Sequence, residues 1–300
     1  MPDQPLFSPL PPPQPELDPR VGFAVRIGFY LIIGATLYFF LPPLLFGAFG
    51  VVTAATIGLF LVALIANGLT LRVFDRGSLA DIGLGTARAS GRNFLIGLAA
   101  GSGSAVLLLA IPLCVGAAHF ELRQNSGFSW GGLAFYLAAL LFGAAGEETL
   151  FRGYAFQLAI QRFGPYATVL PVAVLFGYGH AANPHATWFA IFNTILWGVL
   201  LGYAFLRSRD LWLPIGLHYG WNVMLPLFGA SLSGLTIEVT RYLYKWDLGS
   251  LWSGGDYGPE GGLLTTLIVL ILFPVLRLAP IAPQPSVLAP SLNSSSQVWG

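Results

Sequence analysis

Between Ile27 and Leu71 the chain runs for 45 residues without a single Asp, Glu, Lys or Arg. About 20 apolar residues cross the hydrocarbon of a bilayer as a helix, so this run is too long for one span. Pro42-Pro43, with Gly47 and Gly50, are expected to break it into two. Further charge-free runs cover 93–120, 124–146, 163–206, 211–237 and 261–276. Only 9% of all residues are charged, against about 25% in a typical soluble domain. The chain lacks the polar surface to cover itself in water. The expected fold class is therefore all-α, a polytopic membrane protein whose spans satisfy their own backbone groups in lipid.

Eight spans follow, at roughly 22–41, 51–72, 93–118, 131–162, 166–182, 186–206, 211–230 and 262–278, with Asn183-Pro184 turning between the fifth and sixth. Basic residues test this count. With the N-terminus inside, Arg20, Arg26, Arg72, Arg76, Arg88, Arg92, Arg162, Arg207, Arg209 and Arg277 fall at inside ends. Only Arg123, Arg241 and Lys245 fall outside. That asymmetry is the positive-inside pattern and places both termini inside. Residues 1–19 are proline-rich and 279–300 are rich in Pro and Ser, so both are expected to be disordered tails around a membrane domain spanning 20–278. The single cysteine, Cys114, excludes intrachain disulfides and a Cys-rich zinc site; it reads as a small packing residue. A net charge of +1 gives no reason to expect a nucleic-acid partner.

Ionisable residues that stay inside the spans need a reason, because each costs roughly 2.5–3.5 kcal/mol at a helix centre. The fourth span carries Glu147, Glu148 and Arg152. Read as one continuous helix, it lets Arg152 pair with Glu148 four residues before it. Glu147 points about 100° away and has no partner on its own helix. His180 ends the fifth apolar stretch, four residues after Phe176; His218 and Asn222 share one face of the seventh span. Hinged near Phe163-Gly164-Pro165, spans four and five would bring Glu147 and His180 level. His119 at a helix end and His185 in the Asn-Pro loop read as interfacial residues. Gly101-Ser102-Gly103-Ser104 reads as small-residue helix packing rather than a serine nucleophile. The outside loop 231–260 either rests on the interface or gates the site.

Glu147-Glu148-x3-Arg152, Phe176-x3-His180 and His218-x3-Asn222, in this order on successive apolar segments, resemble the three motifs of the CPBP family. This family joins type II CAAX prenyl endopeptidases with bacteriocin-processing and Abi-like membrane proteins. The resemblance covers about 130–225. It implies an intramembrane endopeptidase in which Glu147 is the general base of a glutamate-activated water and His180 helps orient or deprotonate that water. His218 and Asn222 would stabilise the oxyanion, with Glu148, Arg152 and Phe176 in support. An apolar setting disfavours the ionised form of a carboxylate and makes it a stronger base.

The cofactor question stays open between Zn2+ or another divalent metal, held by Glu147, His180 and His218, and no metal at all. The expected partners are a peptide or protein substrate at the membrane and the lipid bilayer itself, in the cell membrane if the host is bacterial. Two other functions compete. One is a non-catalytic immunity or scaffold protein of the same fold. The other is a proton- or ion-coupled transporter, for which the chain shows no inverted repeat.

Overall fold

The computed structural model describes residues 18–124, 128–284 and 288. Helix α1 (Pro19–Phe49) opens on Asp18, whose carboxylate accepts from the backbone N–H of Arg20, with Pro19 at the first helical position. It runs straight through Pro42-Pro43 and ends at Gly50, whose φ of 84° lies in the left-handed region. Of the residues expected to break the run, Gly50 does so and the prolines do not. Helix α2 (Val51–Phe74) begins there, with a π-helical turn over Ala54–Gly58. A 3-10 turn, Leu79–Ile82, leads to α3 (Arg88–Cys114).

The fourth span differs from a continuous helix. It is two helices, α4 (Trp130–Arg152) and α5 (Tyr154–Phe163), interrupted at Gly153. Gly164 then turns the chain, and Pro165 starts α6 (Pro165–Gly179). After the Asn183-Pro184 turn come α7 (Trp188–Ser208), α8 (Trp212–Leu227) and α9 (Leu263–Leu278). Among the described residues, five helical runs are long and apolar enough to cross a membrane: α1, α2, α3, the combined Trp130–Phe163 and α7. Helices α6, α8 and α9 are shorter, at 15, 16 and 16 residues.

The fold also contains strands. β1 (Ala118–Leu122) pairs antiparallel with β2 (Tyr242–Trp246), Ala118 opposite Trp246. The α3–α4 and α8–α9 connections therefore share one end of the molecule. At the other end Leu211 N–H donates to the Gly83 carbonyl at 3.0 Å, and Gln284 N–H donates to the Ser208 carbonyl at 2.8 Å. The α2–α3 and α7–α8 connections and the segment after α9 meet there. Asn93 holds that last segment through Ala282, donating to its carbonyl and accepting from its N–H. The remainder of the two expected tails lies outside the described residues.

Helix α7 is the centre, with 61% of its apolar window buried, whereas α1, at 11%, is peripheral. Large side chains such as Leu31, Ile32, Phe39 and Phe40 are exposed on α1, as a lipid-facing surface requires. The interior is where the polar groups sit: Asn67, Glu148, Arg152, Asn193 and His218 are all buried. Helices α3 and α8 pack backbone to backbone. A Cβ at Gly101 would lie 2.0 Å from the Leu217 carbonyl oxygen, and one at Gly216 would lie 2.2 Å from that of Phe94. This is the small-residue contact expected of the Gly101 segment. Cys114, expected to pack inside, is instead exposed at the end of α3.

Candidate active site

Helices α1, α2, α4, α6, α7 and α8 and the α8–α9 connection line one cavity of about 890 Å3. Helix α4 contributes Glu147, and its approach is set by Gly146. A side chain at Gly146 would lie 2.8 Å from the backbone nitrogen of Phe60, so only glycine lets α4 sit this close to α2. Just beyond the motif, Gly153 ends the helix. A Cβ there would meet the Thr149 carbonyl at 2.2 Å and Asn67 Oδ1 at 2.3 Å. Asn67 spans the gap, accepting from Tyr154 N–H at 2.6 Å and donating to the Thr149 carbonyl at 3.1 Å. Other carbonyls freed by the break are also met: Tyr30 Oη donates to Leu150 and Gln157 Nε2 to Arg152. A buried helix end without such partners would leave several carbonyls unpaired.

The two adjacent glutamates are separated by environment. The Glu148 side chain is fully buried and that of Glu147 is 25% exposed, facing the cavity. Glu148 Oε1 accepts from Arg152 Nη1 at 3.3 Å, the expected pairing one turn apart. The same oxygen lies 3.0 Å from His218 Nδ1, a contact between α4 and α8 that no sequence spacing announces. Arg152 also donates to the Gly198 carbonyl at 3.0 Å and lies over the Phe176 ring at 4.6 Å. Phe176 is thereby explained: it meets the guanidinium on one side and Phe151 edge-on at 5.2 Å.

His180 caps α6. Its Nδ1 lies 2.8 Å from the Phe176 carbonyl, an acceptor, so Nδ1 carries the hydrogen. Nε2 is left facing Glu147 Oε2 at 3.8 Å, and that oxygen has no hydrogen-bond partner among the described residues. His218 and Asn222 line the same cavity from α8. All four expected catalytic residues, Glu147, His180, His218 and Asn222, therefore open onto one space.

The metal set that the sequence leaves as one alternative, Glu147, His180 and His218, does not group. Among the described residues, no three His, Cys, Asp or Glu side chains are grouped so as to hold an ion. Glu147, His180 and His218 are drawn instead into the pairs Glu147–His180 and Glu148–His218, and this arrangement does not fit a metal centre. His119 stands apart on β1, 2.8 Å from Asp247. His185 is exposed in its turn, with φ of 59°.

The α8–α9 connection is part of the site. Leu232, Ser233, Leu235, Thr236, Ile237 and Glu260 line the cavity, together with Trp197 and Trp221. Sequence reading missed Glu260. A lone acid at the end of a loop of some thirty residues carries no periodicity, and its one signal is that it immediately precedes the charge-free run 261–276.

No curated protein and no solved structure matches the chain. A family model does, over residues 128–224, described as Type II CAAX prenyl endopeptidase Rce1-like. The matched stretch begins just before α4 and ends within α8, enclosing all three motifs and the elements that carry them. The part of this helical membrane protein that builds the cavity is thus similar to the Rce1-like, type II CAAX prenyl endopeptidases, the group its three motifs resemble.

Proposed function

We propose that the protein is an intramembrane endopeptidase, spanning the bilayer eight times with both termini inside, that cleaves a membrane-associated peptide or protein with a water activated by Glu147. The observation that carries this reading is the Glu147–His180 pair. A carboxylate oxygen and an imidazole nitrogen, both able to accept, face each other at 3.8 Å. A water brought between them would donate one hydrogen to each and keep a lone pair free. Two acceptors at this spacing suit a water better than they suit each other.

In the reaction, that lone pair attacks the scissile carbonyl carbon while the water proton passes to Glu147. The carbonyl oxygen becomes an oxyanion, stabilised by Asn222 Nδ2 and by His218 Nε2–H. His218 Nδ1 already faces the Glu148 carboxylate at 3.0 Å. An imidazolium at this position donates through both nitrogens, one to Glu148 and one to the oxyanion. Collapse of the tetrahedral intermediate breaks the C–N bond, and Glu147 returns its proton to the departing amine. A carboxylate and an amine are the products. Arg152 neutralises Glu148 and, through Gly198 and Phe176, fixes α4 against α6 and α7.

The test is cleavage of a reporter peptide by purified protein in proteoliposomes, comparing the native chain with Glu147→Gln. Loss of a general base costs about 10²–10⁴-fold. A Glu147→Gln protein that cleaves at the native rate would remove Glu147 from the mechanism.

A further inference from the structure

Glu260 is the second acid in the cavity; like the buried Asp210 it is met by neutral donors, but unlike Asp210 it opens onto the cavity. Its Oε1 accepts from Trp221 Nε1 at 3.0 Å. Its Oε2 accepts from the Ser233 hydroxyl at 2.9 Å and from the Ser233 backbone N–H. All three donors are neutral. Among the described residues no Lys, Arg or His forms an ion pair with it, whereas Glu148 has Arg152 and Glu147 has His180. The residue is 9% exposed and opens onto the cavity, whose lining contains no Lys or Arg.

The backbone around Glu260 is fixed as firmly as its side chain. Asn193 Nδ2 donates to the carbonyls of Glu260 and Gly262 at 2.8 and 2.9 Å, and Thr265 Oγ1 donates to that of Pro259 at 2.7 Å. The acid is held in place before anything binds. Its position relative to the reacting groups follows from Trp221, which lies three residues after His218 and next to Asn222 on α8. Glu260 is therefore anchored on the oxyanion side of the site, about one helical turn along α8 from His218.

A carboxylate without a counter-ion in a largely apolar cavity is poorly compensated by neutral donors, and a cation brought beside it gains far more than it would in water. We infer that Glu260 is a specificity-determining residue, forming a subsite for an organic cation of the substrate: the ammonium or guanidinium of a Lys or Arg close to the scissile bond, or a free peptide amino terminus. This rests on the endopeptidase reading for the word substrate, but the subsite itself is a binding property.

The test separates the two. Glu147→Gln protein in zwitterionic-lipid nanodiscs, where the membrane carries no net charge, is titrated with fluorescent Leu/Ala-rich peptides. These are acetylated and amidated and differ at one scanned position, occupied by Lys, norleucine or Glu. At one or more positions Lys is expected to bind about tenfold tighter than norleucine, with Glu weakest. Adding Glu260→Gln should bring the Lys and norleucine affinities together. An unacetylated norleucine peptide that gains the same factor identifies the amino terminus as the natural cation. Affinities independent of charge at every position overturn the proposal, as does a Lys preference that survives Glu260→Gln. The peptide series needs no change at Glu260, so it decides even if that variant fails to fold. A Lys preference in binding without cleavage of any peptide by the native chain leaves the subsite standing and defeats the protease reading. Cleavage with no charge preference does the reverse.

Discussion

His180 turns its Nδ1 to the carbonyl of Phe176, at 2.8 Å, and its Nε2 to Glu147, at 3.8 Å. The first contact fixes which nitrogen carries the hydrogen, so the second presents a lone pair beside a carboxylate. That orientation is built entirely from local helix geometry, the carbonyl lying four residues before the ring.

Replacing His180 with Ala should leave the fold intact, because its side chain is 21% exposed at a helix end. The water then loses one of two acceptors, and cleavage should fall about 10²-fold at unchanged thermal stability. Turnover and melting temperature measured on the same preparation check this. A loss of stability matching the loss of activity would count against a chemical role.

Arg152→Ala should behave in the opposite way. It leaves the fully buried Glu148 facing only His218, and breaking a buried pair from one side costs about 3–5 kcal/mol. Arg152→Lys should restore only part of this, since one ammonium cannot reproduce the contacts to Glu148, the Gly198 carbonyl and the Phe176 face together. Thermal unfolding in detergent, read for all three proteins, provides the comparison.

These two positions also show what a sequence can and cannot announce. Arg152 with Glu148, Phe176 with His180 and His218 with Asn222 are one-turn relationships, visible to anyone counting by four. The link between Glu148 and His218 joins residues 70 apart, and only the packing of α4 on α8 creates it. The same limit hid Glu260, whose partners Trp221 and Ser233 are 39 and 27 residues away. Span positions are legible in missing charge, but helix breaks only in part, since Gly50 stands out in the first run and Gly153 does not. Pro42 and Pro43 look like a stop, yet their missing donors are tolerated, while Gly50 and Gly153 end helices because their backbones leave the helical region. The small sheet between two connections was equally invisible, as five-residue strands in long loops give little alternation to detect.

Gly101→Leu should push α8 away from α3, because even a Cβ there overlaps the Leu217 carbonyl at 2.0 Å. His218 and Asn222 travel with α8, so cleavage should fall more than tenfold and the melting temperature should drop. Gly103→Leu, two residues along with nothing within 4 Å, is the matched control and should be near neutral. Equal effects at both positions would contradict the packing described.

The hairpin of connections should respond to pH. Its hydrogen bond to Asp247 is the main reason the His119 imidazole titrates above its ordinary value of 6.5, with Glu121 adding to the effect. A raised value means that His119 contributes to holding β1 on β2 fully below pH 6.5 and that the contribution fades as pH climbs through the raised value. Amide exchange across Ala118–Leu122, corrected for its intrinsic pH dependence, should therefore quicken over that window. Asp247→Asn should move the transition to lower pH, and added salt should weaken it, since the pair is exposed.

The interruption at Gly153 ties distant parts of the chain into a common inheritance. Once a helix is cut in a medium without water, its loose carbonyls oblige Tyr30, Asn67 and Gln157 to be what they are. None of the three touches a reacting atom, yet none is free to drift unless the glycine drifts as well. Their selective constraint descends from a missing methyl group rather than from chemistry.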